Sequence, residues 1–228
     1  MTYFVSDLHG EYELFCQLLK KINFKDSDTM YVCGDILEKG NGSLKLLKLI
    51  CSMKNIHSVI GNHDRFFLRF YRKIMKKSPK DFDIVLRSLR QYFFEDEGEL
   101  TWDMVDYLDS LPLYIEADDF ICVHAGVPLD KDGCLLDFYS AEDDAFITSR
   151  RFKDDDVVHN SEKCVFFGHT VTDNAKIKLY KRPNRNGNSV KDFYKIRLDT
   201  GAWQNGVLGC FCLETCECIY AYKKANQG

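Results

Sequence analysis

The sequence predicts an α/β fold, and three observations carry the prediction. Short apolar runs recur along the chain, most of them end in a tight Gly-containing turn with polar residues, and several of those turns lead into apolar residues at helical spacing. Strand followed by helix, repeated, is the pattern of a sheet with helices packed on it. At 228 residues the chain suits a single domain, 1–228, with an elaborated middle.

Thr2 to Val5 forms the first strand-like run and leads into Ser6-Asp7-Leu8-His9-Gly10. Leu14, Phe15, Leu18, Leu19 and Ile22 then share one helical face. Met30 to Cys33 leads into Gly34-Asp35, and a second helix around Leu44, Leu47 and Cys51 closes near Asn55. His57 to Ile60 leads into Gly61-Asn62-His63-Asp64. From about 65 to 110 the signal is helical, which predicts a helical insertion beside the sheet. Phe66, Phe67, Phe70 and Ile74 mark one helix; Ser78-Pro79-Lys80-Asp81 reads as the start of a second; Thr101 can cap a third that ends before Pro112. Strands resume at Leu113 to Glu116 and at Phe120 to Val123, the latter leading into His124-Ala125-Gly126. Val165 to Phe167 leads into Gly168-His169, and Ile177 to Tyr180 and Phe193 to Leu198 flank a turn-rich loop. The acidic stretch from Asp137 to Asn160 carries Arg150 and Arg151 and reads as a mobile surface loop.

The net charge is −4 with both signs interspersed, which argues against a dedicated nucleic-acid binder. It does not exclude an anionic substrate, because bound divalent metals reverse the sign of a carboxylate-rich pocket. No run approaches membrane-spanning length, and the first strand begins almost at Met1, leaving no room for an export signal. The expectation is a cytoplasmic protein without a membrane partner. Its ten cysteines are then expected as thiols, with Cys33, Cys122 and Cys164 as small buried hydrophobes. Cys210, Cys212, Cys216 and Cys218 could bind zinc. A hairpin of Val207 to Leu213 with Cys216 to Tyr222 is preferred, since the pairs lack the usual ligand spacer.

Six potential metal ligands stand just beyond apolar runs: Asp7, His9, Asp35, Asn62, His124 and His169. That is where open α/β sheets gather functional groups. Four of the six histidines fall in these turns, whereas His57 and His159 have no such context and read as structural or exposed. Mixed carboxylate, imidazole and amide oxygen suits manganese, iron or zinc better than magnesium alone. A carboxylate is the natural bridge between two cations, and Asp35 is the best-placed candidate. Any one motif alone would read as a turn or a buried core histidine; their succession makes a metal centre the better reading.

In order, Asp7-Leu8-His9-Gly10, Gly34 to Gly40, Gly61-Asn62-His63-Asp64, His124-Ala125-Gly126 and Gly168-His169 resemble the motifs of the metallophosphoesterase (calcineurin-like) superfamily. The branch they resemble holds bacterial and phage serine/threonine protein phosphatases and symmetrical diadenosine tetraphosphate hydrolases. The resemblance implies a two-sheet β-sandwich flanked by helices. It implies two divalent ions, manganese first and iron, zinc or nickel as alternatives. Asp7, His9 and Asp35 would hold one ion, and Asp35, Asn62, His124 and His169 the other. It implies His63 as general acid with an acidic partner, Glu38, and Asp199 as a supporting or structural residue. Where the family has Asp-Arg-Gly this chain has Glu38-Lys39-Gly40, so a less directional phosphate grip is expected from Lys39. Arg150 best matches the family's second phosphate-binding Arg, Arg151 is the alternative, and pairing of both with acids such as Asp154 is the structural reading.

The expected activity is phosphoester hydrolysis by a metal-bridging hydroxide. A phosphoserine or phosphothreonine side chain, with phosphotyrosine or a small phosphoester also allowed, is the first choice of substrate, because the chain is short. A dinucleoside polyphosphate is the alternative. A regulator that binds metal without catalysis is a third reading, favoured by Lys39. A thiol phosphatase is disfavoured, since no phosphate-cradling loop follows Cys33, Cys122 or Cys164.

Overall fold

The computed structural model describes residues 1–77 and 82–223. The helix start expected at Ser78-Pro79-Lys80-Asp81 lies outside the described residues. Among the described residues, ten strands form two five-stranded sheets. The first sheet has the order β10-β9-β1-β2-β3. Its strands are β1 (Thr2–Val5), β2 (Thr29–Val32), β3 (Ile56–Ser58), β9 (Val207–Cys212) and β10 (Cys218–Tyr222). β1 runs parallel to β2 with Thr2 opposite Thr29, β2 runs parallel to β3, and the β9–β10 hairpin joins β1 antiparallel. The second sheet has the order β4-β5-β6-β8-β7, from β4 (Tyr114–Glu116), β5 (Phe120–Val123), β6 (Cys164–Phe167), β7 (Lys178–Lys181) and β8 (Phe193–Arg197). Here β5, β6 and β8 are parallel, and the antiparallel β4 and β7 form the edges.

The sandwich follows from the period-two alternation of its strands. Phe4 of β1 faces the other sheet and stacks on Phe166 of β6, with ring centroids 3.7 Å apart, while Phe120 meets Phe4 edge-on at 4.9 Å. Cys33 and Cys122 meet in the same layer with their sulfurs 3.3 Å apart, both fully buried. Tyr3 and Val5, one residue out of phase, belong to the outer cluster. That cluster also takes Leu14, Phe15 and Leu18 of α1 (Tyr12–Lys21) and Leu44 and Leu47 of α2 (Ser43–Ser52). Each side chain so buried stabilises the fold by about 1.5–3 kcal/mol.

The middle of the chain is helical as expected: α3 (Asn62–Lys77), α4 (Phe82–Phe93) and α5 (Trp102–Asp109). Phe67 of α3 is buried edge-on against Phe93 and Phe94. The Tyr107 hydroxyl lies 3.0 Å from the Ser58 hydroxyl and ties α5 to β3. Thr101 stands before α5 with an extended backbone, but its side chain makes no capping bond. Asp96 does cap a helix. Its carboxylate accepts the Leu44 and Lys45 amides at 3.1 and 2.8 Å, satisfying donors that Gly42 cannot serve at the start of α2.

The expectation of a mobile loop from Asp137 to Asn160 is corrected. The segment contains α6 (Asp143–Ile147) and buries Phe146, Ile147, Phe152 and His159. Lys195 of β8 is itself fully buried and donates to the carbonyls of Phe152, Asp154 and Val157 at 2.7, 2.8 and 2.7 Å. The acidic side chains face outward, and the apolar residues between them anchor the backbone. The C-terminal hairpin forms as predicted, with Cys210 and Cys212 in the outer cluster and Cys216 and Cys218 packed against the layer between the sheets. No helix among the described residues is long and apolar enough to cross a membrane.

Candidate metal centre

Five parallel strands end at one place. The loops after β1, β2 and β3 meet those after β5 and β6 across the edge of the sandwich. Backbone bonds continue past the strand ends: Asp7 to the Gly34 carbonyl at 3.1 Å, His9 to the Asp35 carbonyl at 2.9 Å, and Gly168 to the His124 carbonyl at 2.7 Å. Two glycines permit the close approach. A Cβ on Gly61 would overlap the Asp35 carboxylate, and one on Gly168 would overlap Ser6 Oγ and the Asp7 carboxylate. Asp7, His9, Asp35, Glu38, Lys39 and His169 all hold a left-handed backbone, with φ between 44° and 68°. Such backbone costs of order 1 kcal/mol or more per residue, and it clusters where function demands it.

Asp35 stands at the middle. Its Oδ2 lies 3.6 Å from His9 Nε2 and 3.5 Å from His124 Nε2, and its Oδ1 accepts the His63 amide at 2.9 Å. On one side, His9 Nε2 is 3.9 Å from Asp7 Oδ1. On the other, His124 Nε2, His169 Nδ1 and Asn62 Oδ1 lie within 2.9–3.2 Å of one another. Asp7 is aimed by the Ser6 hydroxyl and by the His169 amide, the latter at 2.9 Å. All six residues singled out in the sequence are therefore brought together.

The chemistry of this donor set fits cations. His124 Nδ1 donates to the Cys33 carbonyl at 2.8 Å and His9 Nδ1 to the Leu37 carbonyl at 3.2 Å. Each bond fixes the tautomer and turns an unprotonated Nε2 inward, the arrangement usual for metal-bound histidine. The His124 lone pair faces the Asn62 and Asp35 oxygens, which repel it unless a positive ion lies between, whereas that of His9 meets the Lys39 ammonium. Burial first, and Lys39 second, push His9 down to about 2. Burial above all, with the Arg150 charge adding to it, pushes His169 down to about 3. Both imidazoles are thus neutral at ordinary pH, the form a metal ion would need. Burial also drives the carboxylates the other way. Asp35 is pushed up to about 8, with Asp64 adding repulsion, and Asp7 is raised well above the carboxylate range by burial and by Asp199. Two groups of ligand atoms are spaced for a metal ion, one of Asp7, Asp35 and His124 and one of His9, Asp35 and His63, with Asp35 common to both.

His63 pairs through Nδ1 with Glu38, and its ring stands edge-on to His9 with centroids 4.9 Å apart. Burial opposes the imidazolium, but the Glu38 hydrogen bond and the Asp35 charge outweigh it and raise the His63 pKa. Lys39 Nζ lies 3.0 Å from His9 Nε2, so a cation already sits at that nitrogen, on a stem long enough to release it. Arg150 is exposed, has no ion pair among the described residues, and its charge is felt at His169. Arg151 turns away and pairs with Asp156 at 3.6 Å on the surface. Asp154 pairs instead with Lys153. Asp199 accepts the Gly201 amide at 2.9 Å.

One residue of the second rank escaped the sequence reading. Asp64 is fully buried and accepts the amides of Ile36, Leu37 and Gly61 at 3.0–3.1 Å, clamping the β2 loop to the β3 loop. Its position in Gly61-Asn62-His63-Asp64 was the available signal. His57 is exposed, and His159 is buried and bonded to the Tyr194 carbonyl, both outside the centre.

The profile of the calcineurin-like phosphoesterase family matches residues 2–196. A symmetrical bis(5'-nucleosyl)-tetraphosphatase of Aggregatibacter actinomycetemcomitans is 34% identical over 135 residues, 58% of this chain and 46% of that protein. Its counterpart in Salmonella paratyphi C (strain RKS4594) is 33% identical over 130 residues, 55% of this chain and 43% of that protein. The chain thus spans less than half the length of these curated relatives. A solved structure provisionally described as a diadenosine tetraphosphatase superposes with a TM-score of 0.70 at 21% identity, covering 99% of this chain and 94% of that one, which shows the fold. The expectation of a phosphoserine or phosphothreonine phosphatase is corrected. Relatives at 28–38% identity carry the tetraphosphatase name. Phosphatases that act on proteins enter as structural neighbours at 14–15% identity, a level that speaks to fold alone. Chain length, the ground for that expectation, does not discriminate between phosphoester substrates.

Proposed function

The chain belongs to the calcineurin-like phosphoesterase family, and from that premise we propose that it cleaves dinucleoside polyphosphates symmetrically, diadenosine tetraphosphate giving two molecules of ADP. The observation that carries the substrate is the shared name of the relatives at 28–38% identity. The convergence of five strand ends on Asp35 supports the chemistry.

Asp7, His9 and Asp35 would hold one divalent ion, and Asp35, Asn62, His124 and His169 a second, manganese being the first candidate. Such ions supply the Lewis acidity that makes water a nucleophile at neutral pH. The remaining steps fall to the chain. Arg150 and Lys39 hold the phosphoryl oxygens and offset their charge. The oxygen of water bonds to phosphorus while the bond to the bridging oxygen breaks. His63, whose protonated form Glu38 favours, passes its proton to that leaving oxygen. The intact His63–Glu38 pair favours catalysis over a purely metal-binding role.

Product analysis tests the reading. Manganese-loaded protein given diadenosine tetraphosphate is expected to yield ADP as its nucleotide product. AMP with ATP, or turnover of p-nitrophenyl phosphate without any nucleotide cleavage, would overturn it.

A further inference from the structure

On the proposed mechanism the proton of His63 goes to the leaving half of the substrate, so the groove that borders His63 receives that half. A cleft of about 490 Å³ opens there, lined by Glu38, Asn62, His63, Phe66, Arg69 and Asp144. That volume lies within the range of small-molecule sites. His63, Phe66 and Arg69 are three residues apart on α3 and share one face. The stripe extends about 9 Å along the helix at about 1.5 Å per residue. Helical side chains lean towards the N-terminus, the direction of His63 from Arg69, and both line the one cleft.

Two side chains of this stripe remain open to solvent. Phe66 is 48% exposed; Phe93 meets it edge-on at 5.8 Å. Arg69 is exposed and has no hydrogen bond or ion pair among the described residues. Its neighbour Arg65 differs: it is tied to Asp143 at 2.8 Å and Asp144 at 3.8 Å across the cleft. An open aromatic face beside an unpaired guanidinium, both contiguous with the proposed acid, is complementary to a base and a phosphate carried on one leaving group.

We propose that Phe66 and Arg69 on α3 form the subsite for the leaving nucleoside diphosphate, with the base stacked on the Phe66 ring and a phosphate held by Arg69. This deepens the hydrolase reading and rests on it for the assignment of a leaving half. The metal-centre residues would recognise only the phosphoryl group under attack. The α3 stripe would distinguish a nucleotide ester from a simple phosphoester.

The test is calorimetric titration of ADP, and separately of inorganic phosphate, into the manganese-loaded full chain and its Phe66→Ala, Phe66→Tyr and Arg69→Gln variants. Both positions are exposed, and thermal melts check that each variant folds. Phe66→Ala and Arg69→Gln are expected to weaken ADP about tenfold more than they weaken phosphate, the scale of one base–aromatic stack or one charge-assisted contact. Phe66→Tyr, which keeps the ring, is expected to retain the affinity. Equal effects on ADP and phosphate, or no preference for ADP over phosphate in the unaltered protein, would overturn the subsite. If ADP binding behaves as expected while diadenosine tetraphosphate is not cleaved, the subsite is supported and the substrate reading is overturned. The two failures are therefore separable.

Discussion

Glu38 is the residue at which this chain departs from its family's pattern and still completes a contact. The carboxyl is one methylene longer than the Asp expected there, yet it reaches His63 Nδ1. Its left-handed backbone, φ 68°, offers a physical account, because the turn shifts the side chain's origin. The pair sets a sign for pH dependence. Glu38 raises the His63 pKa, so the imidazolium persists to higher pH than it would alone. Catalysis that needs the proton falls as pH rises through that pKa. In Glu38→Gln the fall is expected at lower pH, with kcat down by about 10²-fold, the scale of one general acid. A pH–rate profile of both proteins on p-nitrophenyl phosphate checks it, and coincident basic limbs would refute the role given to Glu38. Lys39 departs from the pattern more sharply, and its contact with His9 was not foreseeable. A sequence shows that an ammonium replaces a guanidinium, but not which buried nitrogen it will meet.

At the scale of elements, the strand ends were legible because the signal is local. An apolar run followed by a polar Gly-containing turn marks a strand end wherever it falls, and Asp7, Asp35, Asn62, His124 and His169 all lie where those runs predicted. The helical block was legible by its period. The order of strands was not, since β1 sits between β2 and β9 and pairs Tyr3 with Cys212, 209 positions further along the chain. Nor was the segment from Asp137 to Asn160, whose acidic surface hid its anchor. That anchor, Lys195, lies on β8, and its partners are backbone carbonyls that no residue pattern announces. Lys195→Met keeps most of the stem but leaves three carbonyls without their donor. The loss is expected to destabilise the protein by about 2–4 kcal/mol, since buried acceptors without partners cost about 1–3 kcal/mol each and some will find water. The same change should loosen the segment that carries Arg150 and raise KM more than it lowers kcat. Urea unfolding and steady-state kinetics together check this; an unchanged midpoint with unchanged KM would contradict it.

For the whole molecule, the candidate metal centre lies at the seam between the two sheets, so its charge state bears on overall stability. Asp35 is pushed up to about 8 in the fold, far above the usual carboxylate range. Between that ordinary range and about 8 the folded, metal-free protein therefore binds a proton that the unfolded chain does not. Its stability is expected to decline as pH rises towards 8. Cations compete with that proton and reverse the trend, so the gain in melting temperature on adding manganese should be larger at about pH 8.5 than at about pH 6. Melting curves with manganese and with chelator check this, and a gain that shrinks as pH rises would contradict it. The sandwich brings candidate ligands from both sheets to one carboxylate, and Asp35 is the proposed bridge between two ions. The most direct measurement is a manganese titration of the metal-stripped full chain and of Asp35→Asn, read as ions bound per chain. Two are expected for the unaltered protein and fewer than two for the variant. A single site in the unaltered protein, or two undiminished sites in Asp35→Asn, would contradict it.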